Sequence, residues 1–213
     1  MMIRLKDILL EIGDDDLITQ IEQEIMFIKS RFRDAESDDK DRQEPGHERE
    51  LETLIPIAKK YGIAKAKEIY KATRKYTARN YGRMNKSLRK GKSPGGSAEI
   101  DQYVEVAPKF TGSKLYRGLG RELYEKILAS KPKTLTDPAF MSVTSDLGTA
   151  QSFAKRTGKG GILVLTGNLS KAARAPLGTI HEWDTSEQEY IFPRDTRMEI
   201  ARYANNMIEV KVI

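Results

Sequence analysis

The sequence contains no cysteine and only two histidines, His47 and His181. The absence of cysteine excludes disulfides, thiolate zinc sites, iron–sulfur clusters and a cysteine nucleophile. Two histidines are too few for a three-histidine metal site, and we expect no metal. Acid–base chemistry must therefore rest on carboxylates, hydroxyls, Lys, Arg or these two imidazoles.

Long apolar runs are also missing. No segment approaches the roughly 18–20 apolar residues that span a bilayer, and the N-terminus lacks the apolar core and cleavage site of a signal peptide. The chain has 213 residues, 38% hydrophobic and 32% charged. We therefore expect a cytoplasmic protein, neither secreted nor membrane-bound, with one sizeable domain and a small appendage.

Charge is unevenly distributed along the chain, whose formal net charge is +6. Residues 34–50 hold eight acidic and three basic side chains, whereas residues 59–92 hold thirteen Lys or Arg and one acid, Glu68. One interpretation is a solvated helical face beside a charged linker. The other is an electrostatic footprint for nucleic acid, for dinucleotide phosphates or for an acidic partner. Composition leaves both interpretations open.

Apolar periodicity predicts helices in the first half of the chain. Residues 17–33 carry one apolar stripe at spacings of three and four, and the acidic stretch after them is predicted to be a linker. Between residues 50 and 90 three helical faces are predicted, the first interrupted by Pro56 and the third ended by Gly91. Residues 92–100 are predicted to form a turn-rich loop.

From residue 114 onward the pattern is typical of short strands and turns. Two predicted helices interrupt them, at 121–130 and around 149–156. Asn205-Asn206, between the last two predicted strands, indicates a hairpin. The predicted strands are 114–118, 139–145, 160–167, 189–193, 196–204 and 207–213.

Three patches in this half carry residues suited to chemistry. The first strand ends in Tyr116-Arg117-Gly118, where a guanidinium suits phosphate oxygens and a glycine lets a ligand approach the backbone. The second patch, residues 140–145, places Ser142 and Thr144 on one strand face. In the third, a polar loop leads into Glu187-Gln188-Glu189. Its two carboxylates share a face roughly 6.5–7 Å apart, and their pKa values should separate if both are buried. Each patch alone is typical of ordinary surface structure.

Taken in order, Arg-Gly, aromatic-x-Ser-x-Thr and Glu-x-Glu resemble the R–S–E signature of arginine-specific mono-ADP-ribosyltransferases. The resemblance covers about residues 50–213, and residues 85–89 look like the family's helical Asn-x-x-Leu-Arg segment. Val143 departs from the middle Thr of the family's Ser-Thr-Ser strand, at a position expected to face away from the ligand. The compact size and the start of the chain resemble T-even-type bacteriophage transferases that modify host proteins.

The resemblance implies an α+β fold, with N-terminal helices packed on two roughly perpendicular, mostly antiparallel sheets and NAD in the cleft between them. Residues 1–45 would be a helical segment and charged linker, and residues 46–213 the ADP-ribosyltransferase domain. The implied reaction cleaves the nicotinamide–ribose bond of NAD, the co-substrate, without a metal. ADP-ribose would pass to an exposed arginine of a target protein, and we expect the enzyme to be a monomer.

The resemblance also assigns roles to individual residues. Arg117 would hold an NAD phosphate, the Gly118 backbone the nicotinamide amide, and Ser142 would position Glu189 and the nicotinamide ribose. Glu189 would stabilise the ribosyl cation, and Glu187 would orient and deprotonate the acceptor guanidinium. The remaining expected contacts are Tyr116, Thr144 and Phe153 with NAD, and Trp183 and Asp184 with the target protein.

Two alternative functions stay open. One is a non-enzymatic protein that uses residues 59–92 to bind nucleic acid or another partner. The same residues could instead bring a transferase to a nucleic-acid-associated target. The other is an NAD glycohydrolase on the same fold, with water as acceptor. A phosphate-binding loop at Gly91-Lys92-Ser93 is excluded, because the glycine required five residues before the lysine and a preceding strand are both missing.

Overall fold

The computed structural model describes residues 19–21, 23, 47–156, 158–176 and 188–213. Residues 19–21 and 23 are helical and Ile21 is buried, while the rest of the helix predicted over 17–33 lies outside the described residues. Within the described ranges, no helix combines the length and the apolar character needed to cross a membrane.

The first half of the described chain is helical. Apolar residues spaced by three and four along α1, α2 and α4 place Ile57, Ile69 and Ile100 in one fully buried cluster. The elements are α1 (His47–Tyr61), α2 (Ile63–Lys75), a π-helical turn (Tyr76–Asn80), α3 (Tyr81–Leu88) and α4 (Ser97–Val106). The three helices predicted between residues 50 and 90 are confirmed.

Pro56 was predicted to interrupt the first helix, but it does not interrupt α1. The helix continues through Pro56, and the buried Ile55 and Ile57 flank it. Packing of this apolar face offsets the loss of one backbone hydrogen bond at proline.

Two predicted boundaries were also wrong. The predicted linker includes residues 47–50, yet α1 begins at His47 and Glu50 is buried, where its carboxylate accepts a 2.7 Å hydrogen bond from the Tyr70 hydroxyl. The predicted loop 92–100 ends at Gly96, which takes φ +90° immediately before α4. Glu50 and Ile100 are buried, and their contacts stabilise the first turns of α1 and α4. The polar local composition does not reveal these contacts.

The second half builds a sheet flanked by α5 (Arg121–Ser130) and α6 (Leu147–Arg156). The strands are β1 (Leu115–Gly118), β2 (Thr134–Asp137), β3 (Met141–Thr144), β4 (Ile162–Gly167), β5 (Ala173–Arg174), β6 (Glu189–Phe192), β7 (Thr196–Ala204) and β8 (Met207–Val212). Their order is β2-β7-β8-β4-β1-β3-β6-β5, and only the described β4–β8 pair is parallel.

The predicted α+β class is confirmed, as are the six predicted strands and both later helices. Asn205 and Asn206 connect β7 to β8 with φ of 30° and 62°, which is the geometry of a two-residue hairpin turn. The sequence did not indicate β2, which has a polar alternating pattern, or β5, which has two residues.

Where two sheets were predicted, the described strands form one continuous sheet whose two halves are connected by a single register pair. β1 pairs with β4 at four positions and β3 pairs with β6 at four, but β1 and β3 pair only at Tyr116 and Thr144. Beyond that point the ladder between β1 and β3 stops, which leaves a gap between the halves. The candidate site lies around this gap.

Candidate active site

Pairing of β3 with β6 sets the position of Glu189. Thr144 is opposite Glu189 and Ser142 is opposite Ile191, so Ser142, Thr144 and Glu189 share one face of the sheet. On the other side of β6, the backbone N–H of Ala175 donates to the Glu189 carbonyl at 2.9 Å. The backbone of Glu189 is therefore hydrogen-bonded on the Ala175 side, while its neighbour Gln188 is bonded to Ser145 at the end of β3.

The ladder also directs the backbone of Gly118 into the gap. Leu119 N–H donates to the Gly161 carbonyl at 2.8 Å, so Leu119 and Gly161 form a hydrogen-bonded pair. Hydrogen-bonded and non-hydrogen-bonded pairs alternate in antiparallel ladders. The next pair, Gly118 and Ile162, is therefore not hydrogen-bonded. The N–H and C=O of Gly118 therefore point away from β4, toward the side where β3 has diverged.

Arg117 is largely buried, on the face of β1 opposite to that of Tyr116. It lies opposite Leu163, and its side chain is 19% exposed. Burial lowers the pKa of the guanidinium from its ordinary value, and the charge of Asp137 partly opposes this. Among the described residues, Arg117 Nη1 is buried with no hydrogen-bond partner. An unsatisfied buried donor costs about 1–3 kcal/mol, which an anionic ligand would recover.

Asp137, at the end of β2, links Arg117 to a second guanidinium. Its carboxylate accepts hydrogen bonds from Arg89 Nε at 3.0 Å and from Arg89 Nη2 at 2.8 Å. Arg117 Nη2 lies 3.9 Å from the same carboxylate. Two cations thus share one anion, which leaves this corner with a net positive charge suited to phosphate.

Tyr76, the first residue of the π-helical turn, connects these groups. Its side chain is fully buried, and burial raises the pKa of its hydroxyl. The hydrogen bond from Asn85, the nearby Ser142 hydroxyl and the charge of Arg117 lower that pKa, while the charge of Glu189 raises it. Arg117, Ser142 and Glu189, which are up to 72 positions apart in the sequence, therefore lie in the surroundings of one hydroxyl group.

Asn85 holds Tyr76 in place from α3. Its Nδ2 donates to the Tyr76 hydroxyl at 3.1 Å and to the Phe140 carbonyl at 3.0 Å. The Tyr76 ring also packs edge-on against Phe140, with centroids 5.7 Å apart. This network attaches the helical half of the protein to the start of β3. π-helical turns are rare and frequently occur at functional sites.

Three other predicted NAD contacts lie close by but have structural partners. The Thr144 hydroxyl accepts the Asp146 N–H at 3.0 Å, where the chain turns into α6. Tyr116 is half-buried against the small apolar cluster under α6. Phe153 is 44% exposed on α6, with the Arg156 guanidinium 5.3 Å from its ring centroid.

The acceptor residues predicted from the sequence, Trp183, Asp184 and Glu187, lie outside the described residues. The chain after them is attached to β3. Ser145 N–H donates to the Gln188 carbonyl at 3.2 Å, and the Ser145 hydroxyl donates to the Gln188 side chain. The register of Gln188, between Glu187 and Glu189, is therefore set at the end of β3.

Sequence reasoning missed Tyr76 and Asp137. Tyr76 lies among the basic residues of 59–92, where charge dominates the local pattern, and Asp137 precedes a proline in an unpredicted edge strand. The one available signal was Asn85, which belongs to the family-like segment and whose amide needs a buried partner.

Solved structures of ADP-ribosyltransferases share this fold. Vis toxin from Vibrio splendidus aligns with a TM-score of 0.55 and 17% identity, over 68% of this chain and 72% of its own. Exoenzyme S from Pseudomonas aeruginosa, solved with carba-NAD and human 14-3-3 protein beta, gives 0.52 and 20%, over 75% and 86%. The Clostridium limosum C3 exoenzyme gives 0.52 and 18%, over 68% and 85%.

At these identities the likeness establishes the ADP-ribosyltransferase fold, and the chemistry has to be argued from the site. No protein-family model matches the sequence, and no curated protein matches it.

Proposed function

We propose that this protein is a mono-ADP-ribosyltransferase that cleaves the nicotinamide–ribose bond of NAD and transfers ADP-ribose to arginine. The observation that carries the proposal is the geometry around the gap: Ser142 and Glu189 share one face of the sheet, and Arg117 Nη1 is buried with no partner among the described residues. The shared fold supports it, as does the structure of exoenzyme S with carba-NAD.

The reaction needs a stabilised cation more than a general acid. The nicotinamide of NAD already carries a positive charge as leaving group, so its departure produces an oxocarbenium-like ribosyl cation, as in glycoside hydrolysis. A preorganised carboxylate beside that cation lowers the barrier electrostatically. Glu189 takes this role, because its backbone is fixed by the hydrogen bond from Ala175 and its side chain shares a face with Ser142.

NAD itself would be held by the groups around the gap. Arg117, whose Nη1 has no hydrogen-bond partner among the described residues, and Arg89 are two cations that could bind a pyrophosphate. They share one counterion, Asp137. The backbone of Gly118 offers one donor and one acceptor to a carboxamide, which needs both. Tyr116, Thr144 and Phe153 border this region and complete the proposed NAD contacts.

Glu187 is proposed to select arginine as the acceptor. A guanidinium has a pKa above about 12 and is a poor nucleophile until a carboxylate orients it and takes its proton. Glu187 precedes Glu189 by two residues, and Trp183 and Asp184 are proposed to contact the acceptor protein. Vis toxin has been solved with agmatine, a guanidinium compound, which supports a guanidinium acceptor on this fold. The phage-like start of the chain makes a host protein the expected target.

The first test replaces the catalytic carboxylate. Glu189→Gln keeps the shape of the side chain but removes its charge, so we expect nicotinamide release and ADP-ribose transfer to fall together by about 100-fold or more. Nicotinamide release from NAD is measured by chromatography, and transfer by labelled NAD with agmatine and with a cell lysate.

Glu199→Gln is the matched control, since Glu199 is an exposed glutamate on β7. It should retain the parental rates. Parental activity in Glu189→Gln would contradict the assignment of Glu189.

The second test separates transfer from hydrolysis. Glu187→Gln should preserve NAD hydrolysis within about threefold while transfer to agmatine falls by about 100-fold, because general-base catalysis contributes factors of this size. Equal loss of both activities would argue against an acceptor role for Glu187. If the parent protein labels no acceptor but releases free ADP-ribose, it is an NAD glycohydrolase.

A further inference from the structure

The solvent side of α2 and α3 carries a dense group of cations. The stretch from residue 71 to residue 92 contains no aspartate or glutamate. Seven of its basic side chains are exposed, and one of them, Arg89, pairs with Asp137. We call the other six the basic face: Lys71, Lys75, Arg83, Lys86, Lys90 and Lys92.

Among the described residues, these six cations have no ion-pair partner, unlike their neighbours. Lys65 pairs with Glu68 and Glu99 at 3.1 Å each, and Arg89 pairs with Asp137. Within the described part of the chain, by contrast, no ion pair involves any member of the basic face. Like charges placed this close repel one another, and a bound polyanion would relieve that repulsion.

The spacing of the cations produces a continuous positive surface. Lys71 and Lys75 are four apart along α2, so they are separated by only about 5–6 Å at Cβ. Arg83 and Lys86 are three apart on α3, which places them on neighbouring positions of its surface. The π-helical turn joins the two helices directly. At the end of α3 the surface continues into Arg89, whose partner Asp137 lies beside Arg117.

The chemistry of the basic face fits phosphate better than a protein partner. Five of its six members are lysines, which are depleted in protein–protein interfaces, whereas the binding energy of such interfaces comes mainly from buried aromatic residues and Arg. The one large apolar side chain that is exposed on α2 or α3, among the described residues, is Tyr81, and an aromatic ring can stack on a base of a single strand. Closely spaced lysines are typical of binding to a nucleic-acid backbone, which is driven by release of condensed counterions.

We propose that the basic face binds the phosphate backbone of nucleic acid, without sequence preference, immediately beside the candidate NAD site. The proposal stands independently of NAD chemistry, because it uses no residue of the gap between β1 and β3. It predicts steep salt dependence and little discrimination between base sequences.

The test is fluorescence anisotropy of the full chain with labelled single strands of about 20 nucleotides, in two unrelated sequences, over about 50–200 mM NaCl. Six phosphate contacts correspond to a slope of log K against log salt of about −4 on single strands. The triple variant Lys75→Glu/Lys86→Glu/Lys90→Glu removes three contacts, so the slope should flatten by about 2. Its affinity should fall at least about tenfold at the lowest salt concentration.

The matched control is Lys126→Glu/Lys131→Glu/Lys133→Glu, which makes the same charge change at exposed lysines on α5 and just after it. It should bind within about threefold of the parent, since non-specific binding depends on local phosphate contacts. Far-ultraviolet circular dichroism confirms folding of both triples, and Lys→Gln versions replace any triple that fails to fold.

Three results would overturn the proposal. The first is no binding at the lowest salt concentration, and the second is equal loss of binding in both triples. The third is displacement of the oligonucleotide by polyglutamate at equal charge concentration, which would indicate an acidic protein as the partner.

Discussion

Single side chains at the site carry more than one function. Tyr76 is buried, packs on Phe140 and accepts a hydrogen bond from Asn85. Its hydroxyl also experiences the charges of Arg117 and Glu189. Because burial raises the pKa of this hydroxyl, it stays protonated at neutral pH and remains a hydrogen-bond donor. We infer that Tyr76 is a positioning residue, which keeps Ser142 and Glu189 in a fixed relation.

Removal of this hydroxyl should affect turnover more than binding. Tyr76→Phe should lower kcat for nicotinamide release by about tenfold and leave KM within about twofold. The hydroxyl orients the site through hydrogen bonds worth about 1 kcal/mol, and it does not itself contact NAD. The measurement is steady-state nicotinamide release at neutral pH together with the free energy of unfolding.

Tyr103→Phe provides the control for this prediction. Tyr103 is equally buried, and its hydroxyl donates to the Arg174 carbonyl at 2.7 Å. This variant should lose a similar stability of about 0.5–1.5 kcal/mol and keep its kcat. If the two variants have the same kcat, Tyr76 has only a structural role.

At the scale of elements, the contact between β1 and α6 depends on one missing side chain. A Cβ at Gly118 would lie 2.4 Å from the Ala150 carbonyl oxygen and 2.8 Å from the Ala154 nitrogen. Both atoms belong to the backbone of α6, which has no flexible end to move aside. Gly118 therefore serves close packing of strand and helix in addition to its proposed contact with nicotinamide.

Gly118→Ala should destabilise the protein by about 1–3 kcal/mol, the usual cost of overpacking. The measurement is chemical denaturation followed by circular dichroism. Gly82→Ala is the opposite case, because Gly82 lies in α3 with nothing within 4 Å of an added Cβ. There alanine should stabilise by up to about 1 kcal/mol. A neutral Gly118→Ala would mean that α6 can shift, and the close-packing argument would fail.

At the scale of the whole molecule, the site is assembled from three parts of the fold that share apolar cores. Tyr76 and Asn85 belong to the helical half, Arg117 belongs to one half of the sheet, and Ser142 and Glu189 belong to the other. The two halves of the sheet share one register pair, Tyr116 with Thr144. NAD bound as proposed would contact both halves of the sheet directly and the helical half through Arg89, at the end of α3.

NAD should therefore stabilise the fold strongly. At a concentration of 100 times its Kd, NAD adds about 2.7 kcal/mol to the free energy of unfolding, which raises Tm by about 5–10 °C for a chain of this size. Differential scanning fluorimetry of the Glu189→Gln variant avoids turnover during the titration. Arg117→Gln in the same background should reduce the shift. No shift with saturating NAD would exclude the proposed site.

Much of the fold could be predicted from local patterns, and the failures have a common cause. The last two strands and their hairpin follow from alternation and Asn205-Asn206, and α5 follows from its apolar spacing. Pro56 and Ser97 were assigned wrongly because burial against distant residues overrides local propensity. Similarly, β5 exists only because β6 and Lys109 pair with it.

The sequence by itself determined the α+β class, the strands that carry Arg117, Ser142 and Glu189, and the location of the basic face, because periodicity, turn residues and charge are local properties. Only the tertiary structure decided that Tyr76 and Asp137 join these residues. It also decided that β1 and β3 separate after one pair, leaving the Gly118 backbone facing a gap. The physical reason is that burial, strand register and shared counterions depend on residues far apart in the chain, which no local pattern encodes.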